Sequence, residues 1–228
     1  MLFGDEYVTD LCDLGLSGGE IGETIVSTYS MDGQPSAAPM GVVIKNSKQL
    51  IIRPYVSSLT YKNLQATRCA VVNVTSDPEL FYMTAFKEVN PDRKLPFDMF
   101  EKAETVDAPR LRGVDALVEV LVSEIGSFSS ERAEFLCNAQ LVNASKALPM
   151  VYCRARFATI EAIIHATRIQ PFLSGTKQEQ KRAIKLQELV NVCQDVVDRT
   201  APDSCYSEVM ADLTQRINSW RKKSESLR

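Results

Sequence analysis

Apolar and polar positions alternate with a period of two through the first half of the chain and recur with a period near 3.6 toward its end. From Ile21 to Tyr29, Ile21, Ile25 and Tyr29 fall on one face and Gly22, Thr24, Val26 and Thr28 on the other, the signature of a strand. Asp32-Gly33 then gives a turn, and Ala37 to Lys45 returns as a second strand. Pro39 has no N–H to give to a ladder, so it belongs at an edge, at a bulge or beside a ligand. Asn46-Ser47-Lys48 turns again into Leu50 to Tyr55, and Cys69 to Thr75 is a nearly continuous apolar run that reads as a buried strand. Strands joined by tight turns form an antiparallel meander, in contrast to a βαβ series.

Ser76-Asp77-Pro78-Glu79 is a helix start, with proline near the first turn and a carboxylate at the positive end of the dipole, so Phe81 to Lys87 is expected to be helical. Asn90 to Arg112 holds Pro91, Pro96 and Pro109 among charges with little periodicity, and is expected to be a long excursion and a candidate lid. Asp115 to Ile125 and Glu134 to Val142 read as two more strands. After Pro149 the pattern turns helical, with Phe157, Ile160, Ile164 and Thr167 in step. Thr176-Lys177-Gln178-Glu179 is a capping box, opening a helix whose stripe is Leu186, Leu189, Val190, Cys193 and Val197. Ala201-Pro202-Asp203-Ser204 breaks it and starts another, striped by Tyr206, Val209, Met210, Leu213, Ile217 and Trp220. Two amphipathic helices joined by a short turn predict an antiparallel hairpin.

At 228 residues the chain is long enough to bury a substantial core, and 45% hydrophobic with 24% charged residues is the composition of an ordinary globular protein. A net charge of −3 offers no basic field for nucleic acid. No run of about 20 apolar residues spans a membrane. Met1 to Thr9 carries Asp5 and Glu6 where a leader would be basic and then apolar. The six cysteines, Cys12, Cys69, Cys137, Cys153, Cys193 and Cys205, lack the close spacing of metal ligands, and no metal site is expected. Buried free thiols in a reducing cytoplasm fit this pattern.

The candidate chemistry lies in Arg53-Pro54-Tyr55-Val56-Ser57-Ser58-Leu59-Thr60-Tyr61-Lys62-Asn63-Leu64. A guanidinium, several hydroxyls and an amide crowd a predicted helix N-terminus. There Ser57, Ser58 and Thr60 with free backbone N–H groups suit a phosphate, and Arg53 supplies the charge. The plainer readings are a surface ion pair for Arg53, helix caps for the hydroxyls, packing for Tyr55 and Tyr61, and local backbone bonds for Asn63 and Asn73. Asn138 and Gln140 suit a cleft or a solvated face equally. The single histidine, His165, stands four residues after Glu161 and three before Arg168, the setting of a hydrogen-bond network.

Taken together, Asp32-Gly33-Gln34-Pro35, Ala38-Pro39-Met40-Gly41-Val42, Arg53-Pro54-Tyr55, Ser57-Ser58, Thr60-Tyr61-Lys62-Asn63-Leu64 and Val71-Val72-Asn73-Val74 resemble the FMN-binding split-barrel superfamily of flavin reductases and pyridoxamine-phosphate oxidases. Within it the chain is most similar to domain of unknown function 447, known mainly from archaea. The resemblance implies an α+β fold, mainly an antiparallel split β-barrel over residues 1–148, with a C-terminal α-helical hairpin in 149–228 packed on the barrel or on a dimer partner. It implies FMN in a cleft at a homodimer interface. Pro39, Met40, Gly41 and Val42 would lie along the isoalloxazine, Tyr55, Tyr61 and Asn63 beside it, and Arg53, Ser57, Ser58 and Thr60 at the phosphate. The expected function is a cytoplasmic FMN-dependent oxidoreductase with an unidentified substrate or electron donor. A flavin storage or sensing protein is the alternative. Relatives of this barrel also hold haem, deazaflavin or pyridoxal phosphate; a lone histidine makes haem ligation the least attractive of these. The sequence shows no nicotinamide-binding fingerprint.

Overall fold

A computed structural model describes residues 7–8, 10–14, 21–144 and 154–226 of the chain. Cys153, Pro149 and nearly all of Met1 to Thr9 lie outside the described residues. The chain divides into two compact units, Met1–Thr75 with Lys87–Pro149, and Ser76–Phe86 with Met150–Arg228. Ser76–Phe86 groups with the later helices.

The first unit is a barrel. Its strands are β1 (Tyr7–Val8), β2 (Ile21–Tyr29), β3 (Pro35–Asn46), β4 (Gln49–Ile52), β5 (Cys69–Val74), β6 (Phe100–Lys102), β7 (Pro109–Leu111), β8 (Ala116–Ser127) and β9 (Ala133–Ala144). Six of them run in the order β9-β4-β3-β2-β5-β8, and β8 pairs back onto β9, closing an antiparallel ring; β1 lies along the last residues of β9. The β2–β3 turn closes through Gly33 at φ +76°, a conformation that a residue without Cβ adopts freely. The third strand stops at Ile52, short of the Tyr55 expected, because Pro54 cannot donate and the chain turns toward a helix.

Inward positions alternate along each strand as the sequence pattern requires. Val26, Val42, Ile44, Leu50, Ile52, Ala70, Val72, Val118, Val120 and Phe135 fill one core. At about 1.5–3 kcal/mol for each large buried side chain, this cluster is the main source of barrel stability. The ring is incomplete on one side: β4 pairs with β3 only over Val42–Asn46, so Pro35–Gly41 has a ladder partner only in β2, where Pro39 lies opposite Ile25. Pro39 thus occupies an edge, where its missing N–H costs no ladder bond. The helix α1 (Leu59–Thr67) packs on β2 and β3, with Leu64 fully buried in the core. It ends at Arg68, a non-glycine residue in the left-handed region at φ 59°, whose N–H returns to the Leu64 carbonyl.

The excursion from Asn90 to Arg112 is more ordered than a lid. It contains short 3-10 turns and the β6–β7 hairpin, and it is held on the outer face of the barrel by two buried polar groups. The Asn73 side chain accepts the Leu111 amide at 2.8 Å and donates to the Ile25 carbonyl at 2.8 Å and the Ser27 hydroxyl at 2.9 Å. Ser27 in turn donates to the Pro109 carbonyl at 2.5 Å. Glu119, fully buried, accepts the amides of Glu104 and Thr105 at 2.8 and 2.6 Å and the Thr105 hydroxyl at 2.6 Å. Between them Val71, Ala103, Val106, Ala108 and Leu117 form a second apolar cluster.

The second unit is helical: α2 (Pro78–Ala85), α3 (Arg154–Leu173), α4 (Lys177–Thr200) and α5 (Cys205–Ser226). α2 opens at Pro78 because Asp77 caps it, accepting the Glu79 amide at 2.8 Å. The capping box forms as expected, with Thr176 and Glu179 exchanging bonds. The hairpin expected between α4 and α5 is displaced by one helix, since α4 packs chiefly on α3. Ile160, Ile163 and Ala166 of α3 and Ala183, Val190 and Val197 of α4 are buried in this unit. α5 packs on α3 and α2, where Tyr82 bonds Asp212, Arg216 bonds both, and Phe86 meets Trp220 at 6.0 Å.

Candidate functional site

The candidate segment leaves β4, turns, and enters α1. Val56 and Pro54 are tied to the tip of the β8–β9 hairpin, through Val56 N–H to the Glu131 carbonyl at 2.9 Å and Ala133 N–H to the Pro54 carbonyl at 3.2 Å. The Ser58 amide then donates to the Tyr55 carbonyl at 2.9 Å, closing the turn that aims the chain into the helix. Ser58 is the N-cap: its hydroxyl accepts the Tyr61 amide at 3.1 Å and donates to the Tyr55 carbonyl at 2.7 Å. That hydroxyl is engaged in capping. The amides of Leu59 and Thr60 have no intrahelical acceptor, as at any helix start. The hydroxyls of exposed Ser57 and of Thr60, 7% exposed, bond no group among the described residues. Two amides and two hydroxyls are the donor set that an oxygen-rich anion requires.

Arg53 does not offer a free charge in this structure. Its Nε and Nη2 both reach Glu134 Oε2 at 2.8 Å, and its plane lies 4.1 Å over the Phe128 ring. The pairing with β9 invokes a residue 81 positions away, which no local pattern reveals. Asn63 is likewise committed: it is buried and donates to the Thr28 hydroxyl at 2.9 Å, bracing α1 against β2. Tyr61 packs edge-on against Phe135 with ring centroids 5.8 Å apart, and Met40 lies against the same core. Val42 is buried within that core. A Cβ on Gly41 would come within 2.8 Å of Ile21 Cγ2, so the Gly41 backbone is closely covered by a side chain that is itself 64% exposed. Tyr55 is half exposed beneath Arg132, whose guanidinium sits 4.2 Å from its ring centroid. Sequence reasoning missed Arg132; only its place in the polar turn Ser129-Ser130-Glu131 could have drawn attention to it.

Asn73 is an anchor for the excursion, away from the candidate donors. Asn138 pairs with Gln49, accepting from its amide at 3.0 Å. His165 belongs to the helical unit, with Nε2 3.7 Å from Glu161. A separate surface cleft of about 450 Å³ lies among Tyr29, Met31, Phe97, Lys102, Asp107 and Thr67, the last residue of α1. None of the expected binding residues lines it. Among the described residues no group of three or more His, Cys, Asp or Glu side chains is placed to hold a metal, and no helix is long and apolar enough to cross a membrane.

A six-stranded antiparallel barrel, open along half of one strand and packed by a short helix, is a split β-barrel. The chain belongs to the DUF447 family: residues 22–146 match the N-terminal domain of that protein family of unknown function. It is similar to an FMN-bound DUF447 protein from Methanosarcina mazei, at 24% identity and a TM-score of 0.69, over 90% of this chain and 99% of that one. Lower similarities include flavoredoxin from Methanosarcina acetivorans, with 15% identity, TM-score 0.48 and 57% and 72% of the two chains covered. Another is the 2-nitrobenzoate 2-nitroreductase of Pseudomonas fluorescens, with 17% identity, TM-score 0.46 and 57% and 68% covered.

Proposed function

We propose that this chain binds FMN, with the phosphate seated on the opening turn of α1, and serves as an FMN-dependent oxidoreductase working as a homodimer in the cytoplasm. The donor set of Ser57, Thr60 and the Leu59 and Thr60 amides carries this reading, and the FMN-bound relative of the same family supports it. The dianionic end of the nucleotide needs several short donors and the positive end of a helix, and these supply both. Ser58 holds the turn that presents them. Pro39, Met40 and Gly41, on the part of β3 that lacks a second ladder, and Val42, where β4 joins it, would form one wall for the ring, with Tyr55, Tyr61 and Asn63 shaping the approach.

Bound flavin supplies hydride or single-electron transfer; the protein's task is to hold, orient and shield it. Tyr55, Val56, Leu59 and Phe128 are each between 41% and 53% exposed around this turn, and such an apolar group supports a second copy covering it. The test is one absorbance spectrum of the purified protein, followed by mass spectrometry of the released ligand and sedimentation of the holoprotein. A yellow dimer releasing FMN, bleached by NADH, NADPH or a reduced deazaflavin and re-oxidised by an organic acceptor, meets the proposal. Colourless protein that takes up no FMN at micromolar concentration ends it. Bound FMN that no donor reduces leaves a storage or sensing protein instead.

A further inference from the structure

The candidate turn is flanked by two arginines stacked on aromatic rings in a reciprocal exchange. Arg53, which follows β4, lies over Phe128 of the β8–β9 tip, and Arg132 of that tip lies over Tyr55, which follows β4. Only one of the two is neutralised. Arg53 makes two contacts to Glu134 at 2.8 Å, whereas the Arg132 guanidinium has neither an ion pair nor a hydrogen bond among the described residues. It is half-buried, so the charge is partly removed from water without a counter-ion.

The backbone beneath Arg132 is fixed. Its amide donates to the Ser129 hydroxyl at 3.1 Å, its carbonyl accepts the amides of Phe128 and Ser129 at 3.0 Å, and it is the antiparallel bridge partner of Tyr55. Tyr55 in turn is the residue whose carbonyl accepts both the amide and the hydroxyl of the N-cap Ser58. Arg132 is thus a cation held in place against Tyr55, the residue that leads into the turn opening α1. Stacking on a ring leaves the guanidinium edge, with its fork of N–H donors, available to an oxyanion.

We propose that Arg132, in place of Arg53, is the residue that neutralises the anionic group of the ligand, and that it makes the site selective for a phosphorylated flavin over its dephosphorylated form. Arg53 is a positioning residue that ties β4 to β9 through Glu134 and keeps the hairpin tip against the turn. This rests on the flavin reading above. Arg132 has no role in that reading, so the two can fail separately.

The experiment titrates apoprotein with FMN and with riboflavin, following flavin fluorescence, for the wild type and for Arg132→Ala, Arg132→Lys and Arg53→Ala. Arg132→Ala is expected to weaken FMN at least tenfold while riboflavin changes less than threefold, and Arg132→Lys to recover most of the FMN affinity. Arg53→Ala is expected to weaken both flavins by similar factors, as a positional change does. Equal losses of FMN and riboflavin in Arg132→Ala, or FMN affinity within threefold of wild type, would overturn the assignment while leaving flavin binding intact. Wild-type protein that binds neither flavin removes the assignment together with the reading beneath it.

Discussion

The side-chain oxygen of Asn73 accepts the backbone amide of Leu111 at 2.8 Å, joining a barrel strand to a hairpin 38 residues further along the chain. The same carboxamide donates to Ile25 and Ser27, so one buried side chain serves three segments. Asn73→Ala would leave the Leu111 N–H without its acceptor in a dry setting, and each such loss costs about 1–3 kcal/mol. The expected result is a stability loss of about 2–4 kcal/mol in urea denaturation. A change under about 0.5 kcal/mol, the range of ordinary surface substitutions, would show that the anchor is dispensable.

Glu119 gives a sharper version of that test, because glutamine keeps its size. The carboxylate accepts three donors from Glu104 and Thr105, and an amide turns two of its own donors toward them. Glu119→Gln should cost about 1.5–3 kcal/mol, the worth of hydrogen bonds to a charged group. Amide exchange should quicken across the β6–β7 hairpin before the rest of the barrel. Uniform acceleration everywhere would contradict a local latch.

Thiol reactivity should divide by environment. Burial pushes the Cys137 thiol up to about 12 and raises Cys69, while Cys12 and Cys205 are exposed. With a disulfide reagent at mild alkaline pH, Cys12 and Cys205 should be modified in the native protein. Cys69 and Cys137 should require denaturant. Peptide mass spectrometry reads the order directly, and early loss of Cys137 would show an open barrel.

Acidification should weaken the helical unit through His165. Burial pulls its pKa below the ordinary value, opposed by Glu161 and assisted by Arg168, and Nδ1 is buried with no partner among the described residues. In the window between the lowered folded pKa and the ordinary imidazole value, the unfolded chain binds more protons. Stability therefore rises with pH across that window and is lost as pH falls through it. Unfolding midpoints at pH 7.5 and 5.5 should fall further for wild type than for His165→Asn. Parallel falls would mean that other groups carry the acid sensitivity.

The alternating stretches made the main barrel strands legible from sequence, and the missing donor of Pro39 pointed to an edge, a bulge or a ligand, of which the fold shows the edge. Helix starts were legible wherever a side chain caps its own neighbours, as at Ser58, Asp77 and Thr176. The rest depends on partners remote in sequence. Strands of three residues, such as β6 and β7, are too short to show a period, and the polar groups that fix them lie in other strands. Arg53 read as an open charge because Glu134 stands a whole barrel away in the chain. Arg132 gave no local signal beyond its place in a polar turn, since its significance comes from the ring it meets.

The closure of the ring by β9 has a consequence for synthesis. As the ribosome releases the chain, β2, β3, β4 and β5 can pair in order, but β4 meets its other neighbour only when Ala133–Ala144 has emerged. Until then an incomplete sheet with two raw margins waits in the cell, the kind of late, long-range closure that folds slowly and invites misassociation. Variants that delay the last strand should therefore be expressed poorly before they are measurably less stable.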